Sequence, residues 1–304
     1  MGDSFAIEID NLTKYYGPRR GIEDLVLCVP RGISHGFLGP NGAGKTTTLR
    51  LLMGLLRPTS GRARVCGLDV VRDSLLLRTR VGYLPGEVHF FNNMTGYGML
   101  KFLARLRGVD CRRRAESLAG VLNLDLRLKI RYYSRGMRQK LGIIQAMMHD
   151  PELLILDEPT NSLDPLVQQT IYDLLNAHTE RGGTVFFSSH IISEVERICR
   201  RVAIIRAGRV VADDDIDDLR VKSLPRVKLV LKPGGALAAP LPANLKVVSN
   251  QDREVHLVVH GSAEELIDYL DRVPVEFLTV ETGSLEDVFM RYYRSEKENH
   301  VGQV

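Results

Sequence analysis

The segment Gly39-Pro40-Asn41-Gly42-Ala43-Gly44-Lys45-Thr46 has the spacing GxxxxGK[ST] of a P-loop. Its glycines let successive backbone N–H groups curl round phosphates, and a helix starting there turns the positive end of its dipole to the same charge. Lys45 would reach the β- and γ-phosphates of a nucleotide, Thr46 would ligate Mg²⁺ through its hydroxyl, and Thr47 adds a phosphate contact. A glycine-rich turn can match the pattern by chance, so the surrounding elements must decide. Further on, Asp157-Glu158 closes the apolar run 153–156. Side chains alternate direction along a strand, which suits one carboxylate as a metal ligand through water (Asp157) and the next as the group that polarises an attacking water (Glu158). An isolated acidic pair is more often solvated surface; downstream of a P-loop it reads as chemistry.

Three apolar runs are expected to deliver these groups. Residues 36–38 lead into the glycine-rich loop, which is followed by helical spacing of Leu49, Leu52, Met53 and Leu56. The run 153–156 is continuous, as expected of a strand covered on both faces. The third, 184–187, ends at Ser188-Ser189-His190 and leads into Ile192, Val195, Ile198 and Cys199 at helical spacing. A lone histidine at a strand end is more often structural. Polar groups at the carboxyl ends of several strands mark the ligand edge of an open α/β sheet. The expectation is an α/β P-loop NTPase domain with a mostly parallel sheet over 1–220 and an inserted helical subdomain over about 93–148. Residues 221–304 are expected to form a small α+β domain, ferredoxin-like in plan, with helices around Ala263–Leu270 and over 285–292.

Further motifs resemble the ABC ATPase family. Tyr133-Ser134-Arg135-Gly136-Met137-Arg138-Gln139 resembles its signature, Leu156-Asp157-Glu158-Pro159-Thr160-Asn161-Ser162-Leu163-Asp164 its Walker B and D-loop, Ser188-Ser189-His190 its switch histidine, and Tyr16 before Gly17 its adenine-stacking aromatic. All stand in family order between Phe5 and Arg220. The resemblance implies ATP and Mg²⁺ as ligands, His190 on the γ-phosphate beside Glu158, and Asp164 in the nucleotide interface. It also implies that Ser134 and Gly136, at a helix start, cap the ATP of a second copy. A head-to-tail homodimer follows, with a separate transmembrane permease as the partner. Two positions depart from the family pattern. Gly86 stands where a glutamine is usual, and Glu87 is assigned to that job; Tyr133, Arg135 and Met137 replace the commonest signature residues. The run Tyr83-Leu84-Pro85-Gly86-Glu87, the signature variant and the tail Ser284-Leu285-Glu286-Asp287-Val288-Phe289 resemble the ATPases of bacterial export systems, including drug and antibiotic exporters.

Composition narrows the classes. In 304 residues, 44% are hydrophobic and 26% charged, an ordinary globular balance. No apolar stretch approaches the roughly 20 residues of a membrane span, and no secretory signal is evident. The expectation is a peripheral protein on the cytoplasmic side of a membrane. Cys28, Cys66, Cys111 and Cys199 have no paired spacing, as expected of reduced and mostly buried thiols. The net charge of +4 is small, so the basic clusters and the acidic run Asp213 to Asp218 read as solvated surface, and no nucleic-acid partner is expected. Two rival functions stay open. One is an ABC ATPase acting on nucleic acid or ribosomes, disfavoured by the single cassette and by a 93–133 segment too short for a long coiled coil. The other is a non-hydrolysing regulatory subunit, motivated by Gly86.

Overall fold

The computed structural model describes residues 4–221, 226–259 and 263–281, with Glu286 and Phe289 beyond them. The chain forms two compact units, Met1–Asp215 and Ile216–Val304. The first begins with β1 (Phe5–Tyr16), β2 (Arg19–Pro30), β3 (Ser34–Leu38), α1 (Lys45–Leu52), β4 (Ser60–Val65), β5 (Leu68–Asp69), α2 (Ser74–Arg80) and β6 (Val81–Leu84). A helical stretch follows: α3 (Gly96–Arg107), α4 (Arg112–Val121) and α5 (Arg135–Met147). The unit closes with β7 (Leu153–Asp157), α6 (Pro165–Glu180), β8 (Thr184–Ser189), α7 (Ile192–Ile198), β9 (Arg201–Arg206) and β10 (Arg209–Asp215).

A six-stranded sheet of order β10-β9-β3-β8-β7-β6 is the frame of the site. Its strands run parallel except for the β10 edge. Every residue of β3, β7 and β8 is buried, which is why these strands read as unbroken apolar runs instead of alternating ones. Phe37 and Phe186 meet at a ring separation of 5.3 Å in this core, a contact contributing about 1 kcal/mol beyond area burial. Register sets the chemistry: Asp157 lies opposite Ser188, and Leu38 opposite Ser189. The P-loop, the acidic pair and the histidine turn therefore leave the sheet at one level of one edge.

Several features differ from expectation. β2, β1, β4 and β5 form a separate antiparallel sheet, whose alternation the reading of 5–220 as one α/β pattern overlooked. α1 ends at Leu52, because Gly54 takes a left-handed φ of 62° and a helix readily stops at such a residue; Met53 and Leu56 still pack on the core. The acidic run is not uniformly solvated surface. Asp213 lies 3.2 Å from buried His35 and 3.4 Å from Arg201. Burial pushes its carboxyl pKa up, but these two neighbours outweigh that and hold it below the ordinary value. Cys66, Cys111 and Cys199 are buried and Cys28 is exposed, all as free thiols.

The second unit contains α8 (Ile216–Val221), β11 (Arg226–Leu231), β12 (Leu245–Gln251), β13 (Glu254–Val259), α9 (Ala263–Leu270) and β14 (Val275–Glu281). Its antiparallel sheet has the order β12-β13-β11-β14. That is the strand order of a ferredoxin-like plait, but the β11 to β12 crossover carries no helix. In β11 and β13 the buried residues alternate, Val227, Leu229 and Leu231 against Val255, Leu257 and Val259, because one face packs on a core and the other is wetter. The expected helix over 285–292 and the tail 284–289 fall largely outside the described residues.

Candidate functional site

The P-loop joins β3 to α1. Gly44, the cap residue of α1, has φ 112° and offers no side chain to the helix N-terminus. The first-turn N–H groups are thus left for an anion. Gly39 permits a close approach, since an added Cβ would stand 2.4 Å from the Ile205 carbonyl. Ala43 is buried and its N–H donates to the Pro40 carbonyl at 3.2 Å. Lys45 is buried; its ammonium donates to the carbonyls of Gly39 at 2.6 Å and Pro40 at 3.2 Å and lies 3.5 Å from Glu158 Oε1. Burial lowers its pKa, and the Glu158 carboxylate partly opposes that.

Thr46 Oγ1 donates to Asp157 Oδ2 at 2.7 Å, and Ser188 Oγ donates to Asp157 Oδ1 at 2.5 Å. Asp157 is 1% exposed, so both oxygens are aimed by the adjoining strand ends. One carboxylate and one hydroxyl suit Mg²⁺, a hard ion that keeps waters and substrate phosphate oxygens in its shell. Glu158 departs from the strand with φ 49°, a left-handed conformation costing about 1–3 kcal/mol for a residue with a side chain. Its N–H donates to the Ser188 carbonyl at 3.1 Å, and its own carbonyl accepts from Asn161 N at 3.2 Å and Gln139 Nε2 at 3.3 Å. The turned carboxylate meets His190 Nδ1 at 3.1 Å through Oε1 and Asn161 Nδ2 at 2.8 Å through Oε2. Lys45, Glu158 and His190 are in this way brought to one place from three strand ends.

A cleft of about 570 Å³ opens above these groups, lined by Pro40, Asn41, Gly42, Gly44, Lys45, Thr46, Thr47, Tyr16, Arg50 and Glu158 among others. Tyr16 stands at its rim, half exposed, with its hydroxyl 3.4 Å from Thr47 Oγ1. An exposed ring beside a phosphate-sized loop can stack on a flat base.

Other expected site residues lie apart from this cluster. Ser134 caps α5, its Oγ accepting from Met137 N at 3.2 Å. Gly136 follows in the first turn, where an added Cβ would meet the Ser162 carbonyl at 3.3 Å. Asp164 caps α6 by accepting from Val167 N at 3.0 Å. Glu87 does not join the cluster: its side chain is 86% exposed and faces His89 at 3.6 Å. It is Gly86 that stands beside Asp157, where an added Cβ would come within 3.1 Å of Oδ2. The backbone turn after β6 thus brings a residue without a side chain to the carboxylate.

Gln139, Asn161 and Ser188 stand inside the motifs read from the sequence but have no role assigned there, although each bonds to the acidic pair or its backbone. Gln139 left one usable sign, a polar residue on the otherwise apolar buried face of α5; it also donates to the Pro159 carbonyl at 3.0 Å.

Comparison with known proteins gives the geometry its family. The ABC transporter family model matches residues 22–161. The bacitracin transport ATP-binding protein of Enterococcus faecalis is 39% identical over 72% of this chain and 72% of its own length. Its Bacillus licheniformis namesake is 32% identical over 95% and 97%. The daunorubicin/doxorubicin resistance ATP-binding protein of Streptomyces peucetius is 38% identical over 71% and 67%. A solved ATP-binding subunit of an ABC transporter superposes with TM-score 0.68 at 30% identity, covering 71% of this chain and 92% of that one. A dimeric cassette in a post-hydrolysis state bound to ADP and Pi shares the fold, with TM-score 0.61 at 21% identity over 69% and 98%. With its P-loop, acidic pair and histidine turn gathered on one sheet edge, and with relatives of this closeness along most of its length, the chain belongs to the ABC transporter ATP-binding proteins.

Proposed function

We propose that this protein hydrolyses ATP as the motor subunit of an exporter whose channel is a separate membrane permease. The observation that carries the reading is the convergence of Thr46, Asp157, Glu158, Lys45 and His190 within hydrogen-bonding or ion-pair distance. Thr46 and Asp157 would hold Mg²⁺, which when bound neutralises charge on the β- and γ-phosphates. Lys45 moves from the loop carbonyls to the phosphates. Glu158 polarises water, and His190 fixes the Glu158 carboxylate while facing the γ-phosphate. Tyr16 stacks on the adenine.

Ser134 and Gly136 serve the ATP of a second copy, because on their own chain they head a separate helix. Two copies then enclose two nucleotides, and ATP becomes part of the interface. The permease would dock on the helical subdomain. A cleft of about 490 Å³ there is lined by buried Leu100, Ala104 and Met148, by exposed Val109, and by the basic side chains Lys101, Arg105 and Arg112. No described helix is long and apolar enough to cross a membrane. The names of the relatives, bacitracin transport and daunorubicin resistance, point to an antibiotic-like cargo.

Glu158→Gln is expected to keep ATP-dependent dimerisation and to lower phosphate release by about a thousandfold, the scale of a lost general base. Phosphate release at the normal rate from that variant would end the assignment.

A further inference from the structure

The steps above leave a buried carboxylate unused. Glu194 lies in the first turn of α7 and is 7% exposed. Its Oε2 accepts from Ser189 Oγ at 2.7 Å, and its Oε1 accepts from Thr160 Oγ1 at 2.5 Å, with the Tyr172 hydroxyl farther off at 3.5 Å. The two short bonds reach the two loops that carry the reacting groups. Ser189 immediately precedes His190, and its Oγ also accepts from Ile191 N at 2.9 Å, so one hydroxyl spans the histidine turn. Thr160 stands two residues past Glu158, next to the Asn161 that holds Glu158 Oε2. Glu158, Thr160, Asn161, Ser189, His190 and Glu194 line one small cleft.

We propose that Glu194 is a positioning residue that ties the His190 turn to the Glu158 loop. The backbone pairing of Glu158 with Ser188 aligns the strands but does not set where the two side chains meet beyond them. Hydrogen bonds to a carboxylate are short and strong, and one carboxylate with a bond to each loop fixes their separation. The 3.1 Å contact of Glu158 with His190 depends on that separation, and an error of about 1 Å in such a contact can cost about a hundredfold in rate. Glu194 touches neither nucleotide nor water in this account and acts through the pair. The inference rests on the reading of Glu158 and His190 as the groups that handle water.

The test measures steady-state phosphate release from magnesium-ATP by the full chain as wild type, Glu194→Gln, Ser189→Ala, His190→Ala and the Glu194→Gln/His190→Ala double variant, with thermal unfolding of each. A glutamine keeps the shape but bonds the two hydroxyls less well. Glu194→Gln is expected to lower kcat about tenfold while leaving the KM for ATP within about twofold. Ser189→Ala, which leaves the carboxylate in place, should shift kcat in the same direction. In the double variant the loss should be no greater than in His190→Ala alone, since a device acting through the histidine has nothing left to position. An unchanged kcat in Glu194→Gln, or losses that multiply in the double variant, overturns the proposal while the function stands. No phosphate release by wild type, or normal release by His190→Ala, overturns the underlying function and this proposal with it.

Discussion

The N-termini of α1 and α5 are built on opposite plans. At α1, Gly44 gives no side-chain cap, Lys45 is buried, and side chains from β7 and its following turn converge on the first residues. At α5, Ser134 caps its own helix and is exposed, with exposed Arg135 beside it. Both present the positive end of a helix dipole. Only the first is surrounded by acids, a lysine and a histidine from its own chain, so only the first can be a catalytic centre by itself. The second has the form of a lid that becomes useful when another molecule brings the phosphate. A free helix end and a capped one therefore divide the labour of one composite site under the proposed pairing.

The largest effect that should separate the two ends comes from Lys45→Ala. It removes the one buried cation at α1, and the Kd for ATP should rise about a hundredfold, as for a charged hydrogen bond of about 3 kcal/mol. Equilibrium titration with a fluorescent ATP analogue measures it; unchanged affinity would remove the contrast. Gly136→Asp puts a carboxylate at the α5 end, where a partner's γ-phosphate is expected. Like charges placed together cost up to several kcal/mol, so phosphate release should fall about thirtyfold while ATP affinity of the single copy stays put. If affinity falls instead, α5 belongs to the α1 site and the division is wrong.

A smaller, acid-linked effect lies beyond the other end of α5. His149 Nε2 is 3.0 Å from Arg107 Nη1, which also donates to the Arg78 carbonyl. A guanidinium can only donate, so the imidazole accepts and is neutral. Burial, with the Arg107 charge added, lowers its pKa to about 4 from 6.5. The folded state thus resists a proton that the unfolded chain takes up, and stability is full above about pH 6.5 and is lost as pH falls toward 4. With allowance for partial solvation the loss by about pH 5 should be about 1 kcal/mol in urea unfolding, and His149→Gln should abolish it. An identical pH slope in that variant would sever the link.

Much of the centre around α1 was legible because its chemistry is local. A P-loop is eight adjacent residues, and an acidic pair after an apolar run is visible without knowing its neighbours. The family pattern extended this to Ser134, Gly136 and His190. Reading failed where one residue's role depends on another's position. Glu87 is the polar neighbour of Gly86 in sequence, yet the turn after β6 directs it to solvent and sets Gly86 beside Asp157. Glu194 has no sign in the sequence beyond that of an ordinary helical residue, and only packing aims it, like Gln139, at the Glu158 loop. In the antiparallel sheet of β1, β2, β4 and β5, the pairs β1–β2 and β4–β5 are local hairpins open to sequence reading, whereas the β1–β4 pairing that joins them spans about fifty residues, as between Ile7 and Val65, and leaves no local pattern.

The sequence by itself determined which groups could grip a triphosphate, which strands were buried on both faces, and where the second unit's character changes. Those properties follow from residue type and period, since backbone conformations and apolar faces are set locally. Tertiary structure alone decided that Asp157 would be held between Thr46 and Ser188, that Glu158 would turn back through φ 49° to His190, and that Glu194 would join two loops. Such contacts join residues up to 111 positions apart, and only the register of parallel strands brings them within 3 Å or so.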